Sequence, residues 1–162
     1  MTRTGIGGNQ ISDDSVTGDD IDESTLVLKY FRYAKYTKTS DSDLLYIKWK
    51  SMGSNNSPGV NNKFVVPANG TLKSILLRST HTPGSTEVSL HKVSDGVVWE
   101  DLTNAGAPVE TQTVDLSTAN TVVTATFSAS ATFSANDIIG ISVNPTSNHG
   151  NVDLTILFEL NY

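Results

Sequence analysis

The sequence predicts an all-β protein, a jelly-roll-like antiparallel β-sandwich behind an extended N-terminal arm. Three observations predict it. Short alternations of apolar and polar residues recur along residues 27–162, roughly every 8 to 12 residues, with Gly, Pro, Asn, Asp and Ser between them. No segment of helical length repeats its apolar residues every three to four positions. Before those alternations begin, apolar residues stand at every fifth position, Ile6, Ile11, Val16, Ile21 and Leu26, separated by small, polar and acidic residues.

A period of five matches neither the ~3.6 of a helix nor the ~2 of a strand, so residues 1–26 cannot turn one apolar face toward a core of their own. They need a partner surface. The pattern is also a ten-residue repeat, in which Ile11-Ser-Asp-Asp-Ser-Val16 aligns with Ile21-Asp-Glu-Ser-Thr-Leu26. Ile6, Ile11, Val16, Ile21 and Leu26 are therefore the candidate anchors of an extended arm, and residues 27–162 are the folded body.

Leu26 to Thr39 reads as one long strand with large side chains on both faces and Lys29, Arg32, Lys35 and Lys38 at every third position. Leu45, Ile47 and Trp49 alternate with Tyr46, Lys48 and Lys50, the signature of a half-buried strand. After a loop over Ser51 to Asn62 come Lys63 to Val66, the Pro67-Ala-Asn-Gly70 turn and a strand over Thr71 to Ser79. Further strands are expected over Thr86 to Val93, Val97 to Glu100, Val109 to Leu116, Thr121 to Ser128 and Ile138 to Asn144. The last strand alternates most cleanly, Val152, Leu154, Ile156, Phe158 and Leu160 inward against Asp153, Thr155, Leu157, Glu159 and Asn161. Trp49, Leu76, Leu90, Val143, Ile156 and Phe158 are the expected core.

At 162 residues the chain suits one domain with an appendage. With no cysteine, disulfides and thiolate metal sites are out of reach. No apolar run approaches the ~20 residues of a membrane span, and Met1-Thr-Arg-Thr-Gly-Ile-Gly-Gly8 has no hydrophobic region behind its charge, so the expectation is a protein made in a cytoplasm without a membrane partner.

Charge is segregated in blocks. Residues 1–26 set Arg3 against six acids for -5, residues 27–92 set ten bases against three acids for +7, and residues 93–162 hold eight acids and no base for -8. Either neighbouring copies meet through complementary patches, or strands from the blocks interleave and mix the surface. The total of -6 argues against nucleic acid as a partner.

Nothing in the sequence reads as an active site. Neither a nucleophile elbow nor an HExxH, P-loop or dinucleotide fingerprint occurs. His81, His91 and His149 are far apart in the chain, and the acids Asp13, Asp14, Asp19, Asp20, Asp22 and Glu23 lack the spacing of a calcium loop. The expectation is a non-enzyme with no metal and no cofactor.

Phe64-Val-Val-Pro-Ala-Asn-Gly-Thr-Leu-Lys-Ser-Ile-Leu-Leu-Arg-Ser79 resembles the β-sandwich modules of tailed-bacteriophage virion proteins, particularly those of marine phages. Leu90 to Gly96, Thr113 to Asn120 and Asn136 to Pro145 match in the same way, and Ile11 to Gly18 resembles repeats near the ends of phage fibre and decoration proteins. The resemblance implies a virion structural protein assembled in the host cytoplasm. Proteins of this kind are generally homotrimers with a jelly-roll body and an N-terminal segment docked on the major capsid protein or another virion protein. It implies a capsid decoration or cement protein, because the chain lacks the long shaft of a tail fibre. The resemblance extends to head-fibre and tail-fibre modules, and the other role is a tail-fibre or spike tip that binds a host-surface glycan or receptor. Because binding residues tend to sit on loops held by a rigid scaffold, its candidate contact loops are Ser51 to Asn62, Thr80 to Ser85, Thr103 to Pro108 and Thr146 to Asn151.

Overall fold

The computed structural model describes residues 27–38, 44–49, 53–99 and 107–161, and the arm with its five anchors lies outside them. The described residues form eleven strands: β1 Val27–Lys38, β2 Leu45–Ile47, β3 Ser54–Asn55, β4 Phe64–Val65, β5 Asn69–Ser79, β6 Gly84–Val93, β7 Pro108–Leu116, β8 Val122–Thr126, β9 Thr132–Phe133, β10 Ile138–Pro145 and β11 Gly150–Asn161. One sheet, A, runs β1-β11-β5-β8 with β9 beside β5, and the other, B, runs β3-β2-β10-β6-β7 with β4 beside β10. Every pairing is antiparallel. Counting only the eight principal strands, this is the order of a jelly roll, first-eighth-third-sixth against second-seventh-fourth-fifth.

That order resolves the charge blocks. In sheet A, β1 and β5 come from the basic block and β11 and β8 from the acidic one, and sheet B alternates likewise through β2, β10, β6 and β7. Opposite charges become cross-strand neighbours, as in Lys29 beside Glu159 and Lys35 beside Asp153. The surface of the described body is mixed.

Between the sheets lies one core containing Leu45, Ile47, Leu72, Ile75, Leu77, Val88, Leu90, Ile141, Val143, Leu154, Ile156 and Phe158. Of the expected core, Trp49, Leu90, Val143, Ile156 and Phe158 are buried. Leu76 is not: it is 38% exposed, while its neighbours Ile75 and Leu77 are inside. The cause is a β-bulge. Phe158 pairs with Leu72 and Leu157 with Ser74, so Lys73 has no opposite number and the alternation of β5 inverts beyond it.

A second departure is on the outer side of sheet B. The segment expected as a strand at Val97 to Glu100 is instead a turn through residue 99, the last described there. It lays Trp99 over Tyr46, Val93 and Ile138, where the indole Nε1 donates to Asn62 Oδ1 at 2.9 Å. Covering this face buries Tyr46, expected on the solvent side of β2.

Gly70 shows how tightly sheet A closes. A Cβ there would lie 2.5 Å from the main-chain oxygen of Glu159 and 2.6 Å from the Phe133 ring. Gly70→Ala should therefore cost about 1 to 3 kcal/mol, read as a lowered denaturation midpoint, because backbone and a packed ring must both give way. An unchanged midpoint would mean that β9 yields freely.

The ladder between β1 and β11 fixes the polarity of the molecule. Val27 pairs with Asn161 at one end and Lys38 with Gly150 at the other, roughly 40 Å away. The arm thus leaves from the same end as the C-terminal strand finishes; this end is the base, and the opposite end is distal.

Candidate interaction surfaces

At the base the sandwich does not close. Ala34 and Tyr36 of β1 are buried, but Tyr30 and Leu28, which point the same way, are 43% and 49% exposed. The result is an apolar cavity of about 310 Å³ between the sheets, lined by Tyr30, Phe64, Val66, Phe133, Phe158 and Leu160 with Val65 and Pro67 at its rim. Phe158 is its floor, with ring centroids 5.8 Å from Phe133, 5.9 Å from Phe64 and 6.3 Å from Tyr30. Adjoining hollows extend it in two directions, one past Arg32 and Trp49, the other past Lys63, Val60 and Ile138. Arg32 is held in place by donating to Trp49 O at 2.5 Å.

The outer face of sheet A is a second apolar surface. Phe31 lies opposite Leu157, and Tyr33, Thr155, Leu76 and Thr124 follow one another across four strands. Phe31 is 61% exposed and Tyr33 58%, with Leu76 and Val122 also exposed on the same face. Tyr33 donates to Asp153 Oδ1 at 2.9 Å, and this bond to a carboxylate pushes the phenol up from its ordinary pKa. An exposed apolar patch of this kind is a candidate interaction surface.

The distal end gathers three loops. Thr146 donates through N to Ser85 O and through Oγ1 to Pro83 O, and Asn120 N donates to Ser79 O. Beneath them Ser79 Oγ donates to His149 O at 2.7 Å, and the Tyr36 hydroxyl meets His149 Nδ1 at 2.8 Å. Burial pushes the Tyr36 phenol far above its ordinary range, so it stays neutral. Of the four loops expected to form a contact surface, Thr80 to Ser85 and Thr146 to Asn151 meet here. Ser51 to Asn62 does not join them: its described part starts at Gly53 beside Lys35 of β1 and ends at Asn62, fully buried as acceptor for Trp49 and Trp99. In Thr103 to Pro108 only residues 107 and 108 are described.

The three histidines do not come together as one site. His81 packs on Gly150 near His149, while His91 lies in sheet B with Nε2 2.7 Å from Ser142 Oγ. That serine–histidine pair, invisible in the sequence because fifty-one positions divide it, has the atoms of a nucleophile and its base. Both residues are buried, at 1% and 2% exposure, with the Tyr46 ring 5.1 Å from the imidazole. No substrate carbonyl reaches Oγ through that packing, and the pair serves to satisfy two polar groups under the Trp99 cover. Among the described residues no three of His, Asp and Glu come together as a metal site.

No protein-family model matches the chain, and no curated protein matches it. Among solved structures it is similar to the cleaved adhesin domain of Lys-gingipain from Porphyromonas gingivalis, at 12% identity and a TM-score of 0.40, covering 72% of this chain and 74% of that one. It is similar to a chain of infectious bursal disease virus at 10% identity and a TM-score of 0.40, covering 85% of this chain and 33% of that one. It is also similar to a chain of Mud Crab Dicistrovirus at 12% identity and a TM-score of 0.36, covering 98% of this chain and 77% of that one. The fold rests on the strand order and not on these likenesses.

Proposed function

We propose that this chain is a non-enzymatic structural protein of a tailed-phage virion, a capsid decoration or cement protein that works as a homotrimer and attaches through residues 1–26. The observation that carries this reading is the polarity of the body. The arm departs from the base beside an open apolar cavity, whereas the tied loops stand roughly 40 Å away at the distal end. Held by its arm, the body presents those loops outward. The outer face of sheet A, with Phe31, Tyr33 and Leu76, supplies apolar surface for trimer contacts. Three arms per particle site raise avidity by ~10² to 10⁴ over one arm, which has to offset ~1 to 2 kcal/mol of ordering cost per residue.

The convergence of Thr80 to Ser85 with Thr146 to Asn151 favours a second reading, a fibre or spike tip whose distal loops bind a host-surface glycan or receptor. Copy number separates the two. Stained gels of purified particles should show hundreds of copies for a decoration protein, and a handful would overturn that role in favour of the tip. Light scattering should return about three times the 17.3 kDa of the chain; a clean monomer at micromolar concentration would remove the trimer.

A further inference from the structure

We propose that the base cavity and the free edge of β1 form one docking groove for the arm of a neighbouring copy, an apolar residue from among Ile11, Val16 and Ile21 entering the cavity while the main chain beside it pairs with β1. This deepens the reading above and rests on its homotrimer.

The edge comes first. Lys35 O accepts from Gly53 N at 2.8 Å, so the main chain of Lys35 points away from β11. Alternate residues of an antiparallel strand share that direction, which turns the N–H and C=O groups of Lys29, Phe31 and Tyr33 outward as well. Among the described residues the Gly53 bond is the main-chain hydrogen bond that reaches this edge, and it reaches only its distal part. A long strand open in this way among the described residues is a template for a further strand.

The cavity lies against the same part of β1. Tyr30 lines it, and Leu160, the register partner of Leu28, closes one wall. Strand addition gives affinity through the main chain and specificity through a pocket for an alternate side chain. The arm suits that arrangement because its period of five offers one aliphatic residue at a time with polar residues on either side. Charge agrees: the arm carries -5, and Lys29, Arg32 and Lys63 stand around the groove and the hollows that extend it.

Reach and turning favour a neighbour over the arm's own body. From Val27 back to Ile21 an extended chain spans about 20 Å, and back to Val16 about 36 to 40 Å, which crosses the flank of an adjacent copy whose base is level with this one. Doubling back onto its own β1 through a two-residue hairpin turn calls for a Gly, and residues 19–26 contain none.

The absence of cysteine permits a direct test on the full chain. Val65 is exposed at the cavity rim. Val65→Cys is combined in turn with Ile11→Cys, Val16→Cys and Ile21→Cys, and each variant is oxidised mildly and run on a non-reducing gel beside the single-cysteine controls. A disulfide forms only where the Cα atoms approach within about 7 Å. At least one pair should give covalent dimers and trimers that the controls lack. A disulfide confined to monomers would overturn the proposal by showing that each arm fills its own cavity. No disulfide in any pair, with light scattering still reporting a trimer, would overturn the groove and leave the trimeric virion protein standing; a monomer by light scattering would sink both.

Discussion

Truncating Phe158 to alanine should destabilise the body by about 3 to 5 kcal/mol. Its ring is 1% exposed and touches the rings of Tyr30, Trp49, Phe64 and Phe133, so four aromatic contacts from four separate segments end on one side chain. It also pairs with Leu72 beside the bulge. Chemical denaturation should show the midpoint falling with little change in slope. A loss below ~1 kcal/mol would mean that the rings around the base cavity collapse into the vacated space, and that the final strand is not the keystone its burial makes it.

Deleting residues 1–26 should abolish attachment to particles while leaving a folded β body. The arm contains no aromatic residue, and residues 27–162 hold every Trp, Tyr and Phe, so the core stays whole. Val16→Asp with Ile21→Asp should largely reproduce the loss, because each puts a charge where a pocket expects hydrocarbon. Circular dichroism reports the fold and co-sedimentation with undecorated particles reports attachment. Wild-type occupancy by the truncated body would show that Ile6, Ile11, Val16, Ile21 and Leu26 are not the anchors.

What the sequence revealed depended on whether burial was one-sided. Along β11 every second residue enters the core and the others meet solvent or half-exposed neighbours, so Val152 to Leu160 announced themselves. Along β5 the same logic failed at Leu76, because the bulge at Lys73 leaves no local trace in residue type. Tyr46 and Trp99 were missed for another reason: the cover over the outer face of sheet B comes from a turn some fifty residues away in the chain, and alternation within β2 carries no record of it. The candidate surfaces were half legible. The loops could be named from their Gly, Pro, Asn and Thr content, but which end each one occupies depends on pairings such as Gly150 with Lys38, more than a hundred positions apart. The base cavity needed the same long-range register, since its walls come from β1, β4, β9 and β11.

The twelve-residue ladder between β1 and β11 also determines how the molecule bears mechanical load. Tension between a tethered arm and the distal loops runs parallel to the strands, so the perpendicular hydrogen bonds of the ladder are sheared together and must fail nearly at once. Tension between Val27 and Asn161, both at the base, would instead peel the pairs singly from that end. A body hung by its N-terminal strand is thus strong in the direction in which a particle surface would be pulled and weak in the one direction that no external force on its outer end can apply.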